Sequence, residues 1–270
     1  MIRLWHISDR HQKLFSFSNE DINNLQLFSD FLDMEFEKKQ NENVYIVDTG
    51  DITHNGYRDE FEEVRKAMEK WKGKYFPIQG NHDEGAVGIF YNDESKENAD
   101  EFVNYFSKNV GVSFGDEPRV TYITTKTEKI MLIGLNSCIR TYHPFDFACG
   151  RIGTEQLENL NFILDGTLNL MKESEIIIVY LHHHPFIHNE PFMELQDAKE
   201  LWKVLYGRVD VVLFGHRHVD GLWNNIKGIP LIHAAGRTPE EKSIFEITIK
   251  DSKITHKYKK WKLSKLGGLM

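Results

Sequence analysis

Short apolar runs of strand length recur along this chain, and most of them end in a polar segment that carries histidine. Residues 2–7 lead to Asp9-Arg10-His11, and residues 75–78 lead to Asn81-His82-Asp83. Residues 176–181 lead to His182-His183-His184-Pro185, and residues 211–214 lead to Gly215-His216-Arg217-His218. Residues 44–48 reach His54 through Gly50-Asp51. In an α/β sheet the carboxyl ends of parallel strands open on a common crevice, so segments far apart in sequence can build one site. Of thirteen histidines, eight fall in these five segments, so the chain's imidazole is concentrated where such a crevice forms.

Between the strand runs lie amphipathic stretches. Ser18 reads as an N-cap with Asp21 three residues on, and Ile22, Leu25, Phe28, Leu32 and Phe36 follow at helical spacing. Phe61, Val64, Met68 and Trp71 mark a second helix, Leu157, Leu160 and Leu164 a third, and residues 195–206 a fourth. Residues 120–124 and 130–135 read as a strand pair, while 84–118 is irregular apart from a helical stretch at 102–106. Residues 176–181 are almost entirely apolar, as expected of a strand covered on both faces. The end is β-rich: 230–234, then 244–250 and 253–260 around Asp251-Ser252. This predicts one α/β domain over residues 1–270, with two sheets and outer helices.

Composition narrows the class. Apolar residues at 40% and charged residues at 27% predict a folded globular chain. No apolar run approaches the ~18 residues of a membrane span. Residues 1–6 lack a charged-then-apolar leader, and Cys138 and Cys149 are too few for a disulfide framework, so a cytoplasmic protein is the expectation. A net charge of −8 argues against a nucleic-acid coat protein, and the basic stretch 257–262 reads as a solvated strand end.

The segments differ in what they can ligate. Asp9 and His11 alternate along an extended stretch and so reach the same side. Asp51 follows a glycine that permits a tight turn, and its two oxygens can bridge two cations. Asp48 is expected to be structural; His54 and Asn55 either line the pocket or sit in a solvated loop. Asn81 offers a neutral carbonyl oxygen, and His82 beside Asp83 has a candidate orienting carboxylate, which suits acid–base work. At most one or two of the three consecutive histidines can point into one site, since neighbours alternate. With Asp9, His11, Asp51, Asn81, His216 and His218, an imidazole from that triple completes seven ligands, without cysteine. One bridging carboxylate among seven suits two divalent or trivalent first-row metals. Two divalent cations, two carboxylates and a hydroxide leave a local charge of about +1, which attracts phosphate despite the acidic chain.

The order Asp-x-His, Gly-Asp, Gly-Asn-His-Asp, His-His-Pro, Gly-His-x-His, carried by residues 9–11, 50–51, 80–83, 183–185 and 215–218, resembles the calcineurin-like metallophosphoesterase superfamily. Weaker matches lie at Leu135-Asn136-Ser137 and at Gly150-Arg151-Ile152-Gly153 with Gln156-Leu157. The resemblance implies a four-layer αββα sandwich with two mixed sheets and a dinuclear metal centre. One metal would be held by Asp9, His11 and His218, the other by Asn81, His183 and His216, with Asp51 between them. His183 is the choice when Pro185 is registered on the family's His-x-Pro. His82 would stabilise the transition state or protonate the leaving oxygen, and Asp83 would orient it. Arg10 and His54 depart from the family pattern; Arg10 either reaches the phosphate or faces solvent.

The compact size and the triple histidine look similar to class III cyclic nucleotide phosphodiesterases. The expected activity is hydrolysis of phosphodiesters, cyclic or other small nucleotides among them, by attack of a metal-bound hydroxide. Mn²⁺ or Fe are the expected metals, with Zn²⁺ accepted by the same donors. A phosphomonoesterase or a nuclease is the same-family alternative, and a nuclease would want a basic groove. A binding protein that kept the fold should have lost ligands, which are intact here. Substrate choice is expected in 140–147, 187–192 and 84–118, and no membrane partner is signalled.

Overall fold

The computed structural model describes residues 1–14, 18–84, 117–139, 148–170, 175–186 and 192–261. The helical stretch expected at 102–106 and the loops at 140–147 and 187–191 lie outside the described residues, as does nearly all of 84–118.

Two sheets stack face to face. The first runs β11-β10-β1-β2-β3, built from β1 (Ile2–Ile7), β2 (Val44–Asp48), β3 (Tyr75–Pro77), β10 (Ser243–Lys250) and β11 (Lys253–Lys260). β1, β2 and β3 are parallel, and the terminal hairpin adds to β1 antiparallel, with Trp5 opposite Glu246. The second runs β4-β5-β6-β7-β9-β8, from β4 (Arg119–Thr124), β5 (Lys129–Gly134), β6 (Glu175–Tyr180), β7 (Val211–Phe214), β8 (Gly221–Ile226) and β9 (Ile229–Ala234). Its four middle strands are parallel and its two edges antiparallel. Both sheets are therefore mixed, as expected.

Strand alternation explains the layering. Ile176, Ile178 and Tyr180 of β6 join Leu4, Val47 and Phe245 in the core between the sheets. Ile177 and Val179 face the other way, onto Leu160 and Leu164 of α4 (Thr154–Leu170) and Leu201 and Leu205 of α5 (Ala198–Leu205). Trp5 and Ile46 of the first sheet pack outward on Phe28 and Leu32 of α1 (Asn19–Lys39) and Phe61 and Val64 of α2 (Arg58–Met68). The result is helix, sheet, sheet, helix. Ser18 caps α1 through the Asp21 N–H, as the sequence predicts.

One polar chain crosses the intersheet layer. The Thr49 hydroxyl and His6 Nε2 are 3.0 Å apart, His6 Nδ1 and His233 Nδ1 2.7 Å, and His233 Nε2 and Asp220 Oδ1 3.1 Å. Donation from Thr49 to His6, from His6 to His233, and from His233 to Asp220 satisfies every group with both rings neutral. Burial holds both imidazoles below their ordinary range, consistent with that assignment.

Candidate metal centre

The parallel strands β1, β2 and β7 hand the chain to the site through unusual backbone. Asp9, His11, Asp51, His216 and His218 all have positive φ, between 46° and 75°. Non-glycine residues rarely adopt this left-handed region, which costs of order 1–3 kcal/mol each and clusters at functional sites. The turns are held by backbone bonds between loops: Asp9 N–H to Gly50 O at 2.9 Å and His11 N–H to Asp51 O at 2.8 Å. Asn81 and His82 begin a single turn of helix, α3 (Asn81–Glu84).

Donor atoms gather in two groups that share Asp51. In the first, Asp9, His11, Asp51 and His218 place ligand atoms within 4.8 Å of one another. His11 Nε2 lies 3.0 Å from His218 Nε2 and 3.6 Å from Asp51 Oδ2; His218 Nε2 lies 3.3 Å from Asp9 Oδ1. In the second, His182 Nε2 lies 3.3 Å from Asp51 Oδ1, 3.0 Å from Asn81 Oδ1 and 3.1 Å from His216 Nδ1. Each oxygen of Asp51 thus faces a different group.

The donor chemistry fits cations. His182 Nδ1 donates to Thr49 O at 2.8 Å, so the lone pair of Nε2 points at a carboxylate and an amide oxygen. Acceptors converging this closely repel unless positive charge sits among them. Buried Asp9 Oδ1 accepts no hydrogen bond among the described residues, its 3.3 Å approach to His218 aside. The titration behaviour has the same cause. Burial opposes a charge on His182, but Asp51 overrides it and carries the imidazole up to about 9. Burial likewise works against ionised Asp51, yet His182, His82 and His11 hold its carboxyl well below the usual range. His11 and His216, for which burial prevails, are held neutral and so keep lone pairs for a metal.

Several expectations are corrected here. The third histidine segment contributes His182, not His183. Tyr180 faces the intersheet core, so by alternation His182 points to the same side, toward Asp51, while His183 follows Leu181 away from it. His183 Nδ1 instead meets Ser137 Oγ at 2.9 Å, and Gly150 lies against its ring, leaving no room there for a Cβ. Counting back from Pro185 missed the phase that strand pairing sets; the alternation of β6 carried the signal. Asp83 does not orient His82. Its carboxylate accepts from the backbone N–H groups of Ile52, Thr53 and Gly80 and from the Thr53 hydroxyl, tying the β2 and β3 loops together. His82 Nδ1 donates to His54 O at 2.8 Å, which leaves Nε2 for chemistry. Arg10 does not face solvent: it is buried over Phe28, donating to Gln12 and to Ser29 of α1. His54 lines the pocket beside His11 and His82. Asp48 is structural, accepting from Tyr75 OH at 2.8 Å and from Gly50 N–H.

This fold and this centre are those of the calcineurin-like phosphoesterase family, to which the chain belongs: the family model matches residues 2–220. The family fold implies a dinuclear metal centre, and the two groups around Asp51 form its candidate here. A protein of Arcobacter nitrofigilis described as "Probable glycerophosphodiester phosphodiesterase GpdQ" is 26% identical over 189 residues, covering 67% of this chain. The chain spans 59% of that relative's length. Among solved structures, a dimetal phosphatase from Danio rerio superposes with a TM-score of 0.63 at 14% identity, covering 95% of both chains. Purple acid phosphatase PPD1 from yellow lupin (Lupinus luteus) gives 0.63 at 15% identity, over 96% of this chain and 51% of its own. At these identities the two structures speak for the fold alone. No helix among the described residues is long and apolar enough to cross a membrane.

Proposed function

We propose that the protein hydrolyses phosphodiesters, cyclic and other small nucleotides among them, at a dinuclear centre. Asp9, His11 and His218 would hold one metal, Asn81, His182 and His216 the other, with Asp51 bridging. The observation that carries this reading is the division of Asp51: Oδ2 toward His11, Oδ1 toward His182. Two bound cations supply Lewis-acid charge on the phosphoryl oxygens and a nucleophile from water near neutral pH. The chain supplies the rest. Left-handed turns aim the ligands, and the Thr49 carbonyl fixes the tautomer of His182. His82, anchored through Nδ1, presents Nε2 to protonate the departing alkoxide. The likeness to the Arcobacter protein supports diesters over monoesters. Histidine and carboxylate donors without cysteine favour Mn²⁺ or Fe and admit Zn²⁺.

The test is metal content and turnover together. Protein loaded with Mn²⁺ or Fe should bind two ions per chain and hydrolyse a cyclic nucleotide and an aryl phosphodiester faster than the matching monoester. One ion per chain removes the dinuclear assignment, and faster monoester turnover removes the diester assignment.

A further inference from the structure

A cavity of about 420 Å³ opens between α1, α2 and the loop after β1. Its polar wall includes Arg10, Gln12 and Lys13 from the loop, Ser29 from α1, and Glu63 and Lys66 from α2. Leu25 and Ala67 are among the apolar residues that complete it. None of these residues belongs to either donor group of the centre.

Arg10 is the unusual member. Its side chain is buried, 4% exposed, with the guanidinium carbon 5.5 Å from the centre of the Phe28 ring. Its hydrogen bonds go to neutral groups: Nε donates to Gln12 Oε1 at 3.1 Å and Nη2 to Ser29 Oγ at 3.0 Å. Nη1 is buried and has no acceptor among the described residues. No carboxylate among them pairs with Arg10; Asp48 and Glu63 bear on its charge without touching it. A charge taken out of water is offset only by close partners, so this guanidinium is short of an anion. The two lysines are matched already, Lys13 to Asp21 at 2.9 Å and Lys66 to Glu63 at 2.8 Å.

We propose that this cavity binds the phosphate group of a small phosphate-bearing molecule, with Arg10 as its principal contact. The Nε–Nη2 edge presents two parallel N–H bonds, the arrangement that grips two phosphate oxygens at once. Its present partners, Gln12 and Ser29, both stand on the cavity wall, so that edge borders the cavity. Neutral partners yield to an anion, because charge-assisted hydrogen bonds are about twice as strong. The Lys66–Glu63 pair is exposed and contributes little, so Lys66 can turn to the anion. The Ser29 hydroxyl and the Gln12 amide add neutral donors, and so many donors suit the oxygens of phosphate better than the two of a carboxylate. The organic part of the molecule would lie along Leu25 and Ala67. The loop that carries Arg10 is strapped to the loop after β2: Gln12 N–H donates to Ile52 O at 2.8 Å and His54 N–H to Gln12 O at 3.1 Å. The anion would therefore sit one residue along the chain from Asp9 and His11, on a wall they do not share. This site does not depend on what the centre hydrolyses.

The probe is inorganic phosphate, titrated calorimetrically into metal-loaded protein and into the full chain stripped of metal and desalted, where no bound cation draws it elsewhere. Stripped parent should take up one phosphate per chain, and metal-loaded parent should keep that site. Arg10→Gln should weaken this binding about tenfold to a hundredfold, the scale of a lost charge-assisted contact. Lys66→Glu, an exposed substitution on α2, should weaken it about fivefold. Acetate should bind about tenfold more weakly than phosphate. Phosphate uptake that is the same in the parent, Arg10→Gln and Lys66→Glu overturns the proposal, as does no uptake by stripped parent that circular dichroism shows to be folded. Equal affinity for acetate overturns the choice of phosphate. If Arg10→Gln fails to fold, Lys66→Glu decides; if the stripped chain unfolds, the metal-loaded titrations decide. None of these results touches the phosphoesterase reading, which stands or falls on metal content and turnover.

Discussion

His82 and Asp83 are neighbours in sequence with separate tasks, and substitution should divide them. His82 is oriented by a backbone carbonyl, so His82→Ala removes one side chain and no support. Metal-loaded His82→Ala should keep both ions and lose about 10²–10⁴-fold in turnover on a cyclic nucleotide, whose alkoxide leaving group needs a proton. The loss should be smaller on a nitrophenyl diester, measured in parallel; equal losses on the two substrates would point to charge stabilisation instead. Asp83→Asn should mainly destabilise, by about 1–3 kcal/mol in denaturant unfolding, since an amide cannot replace a carboxylate that accepts four hydrogen bonds. At this scale the sequence was informative about residue type and less so about direction. That Asp9, His11, Asp51, Asn81, His216 and His218 are candidates was legible because each follows a strand as a polar residue with ligand chemistry. The step from His183 to His182 depended on which face of β6 looks inward, a property of pairing between strands more than thirty residues apart.

The strand-to-loop turns depend on glycines packed too tightly for any side chain. A Cβ on Gly80 would lie 2.2 Å from Asp51 Oδ1, 2.3 Å from the Asp51 backbone nitrogen and 2.8 Å from the His182 ring. Gly80→Ala must therefore part the β2 and β3 loops where the bridging carboxylate stands. Displacement of about 1 Å at a reacting centre can cost about 10²-fold, so activity should fall by that order, with metal content falling as well. Near-parental activity and metal content would show that the loops yield without moving Asp51. Most elements were readable beforehand because apolar periodicity survives in them: β1, β2, β7 and β11 have the expected bounds, and α1 buries Leu25, Phe28 and Leu32. β8 was not read. Its residues, Gly-Leu-Trp-Asn-Asn-Ile, are half-exposed at a sheet edge and show neither a continuous apolar run nor clean alternation. α3 and α6 (Thr238–Glu241) are single turns, too short for a helical period to show.

Neither sheet holds the whole candidate ligand set. The first supplies Asp9, His11, Asp51 and Asn81 from loops after β1, β2 and β3; the second supplies His182, His216 and His218 from loops after β6 and β7. Each donor group draws on both, so cations bound there would clasp the sheets at one end, while apolar packing and the Thr49–His6–His233–Asp220 chain join them behind it. The α/β architecture was legible from alternating strand and helix patterns; the stacking of two mixed sheets came from the family resemblance, because pairing order leaves little trace in local sequence. The clasp has a thermodynamic consequence. An ion that binds only the folded chain stabilises it by about 2.7 kcal/mol per site when supplied at a hundred times its dissociation constant. For a chain of this size each kcal/mol moves Tm by about 2–4 °C, so filling one site should raise Tm by about 5–10 °C over chelated protein. Asp51→Asn weakens a carboxylate common to both groups, whereas His218→Ala removes a donor from one. The metal-dependent rise in Tm should therefore shrink more in Asp51→Asn than in His218→Ala. The measurement is a set of calorimetric scans with chelator and with saturating Mn²⁺ for the parent and both variants. Identical Tm with and without metal in the parent would dissolve the clasp, and an equal rise in both variants would deny Asp51 its shared position.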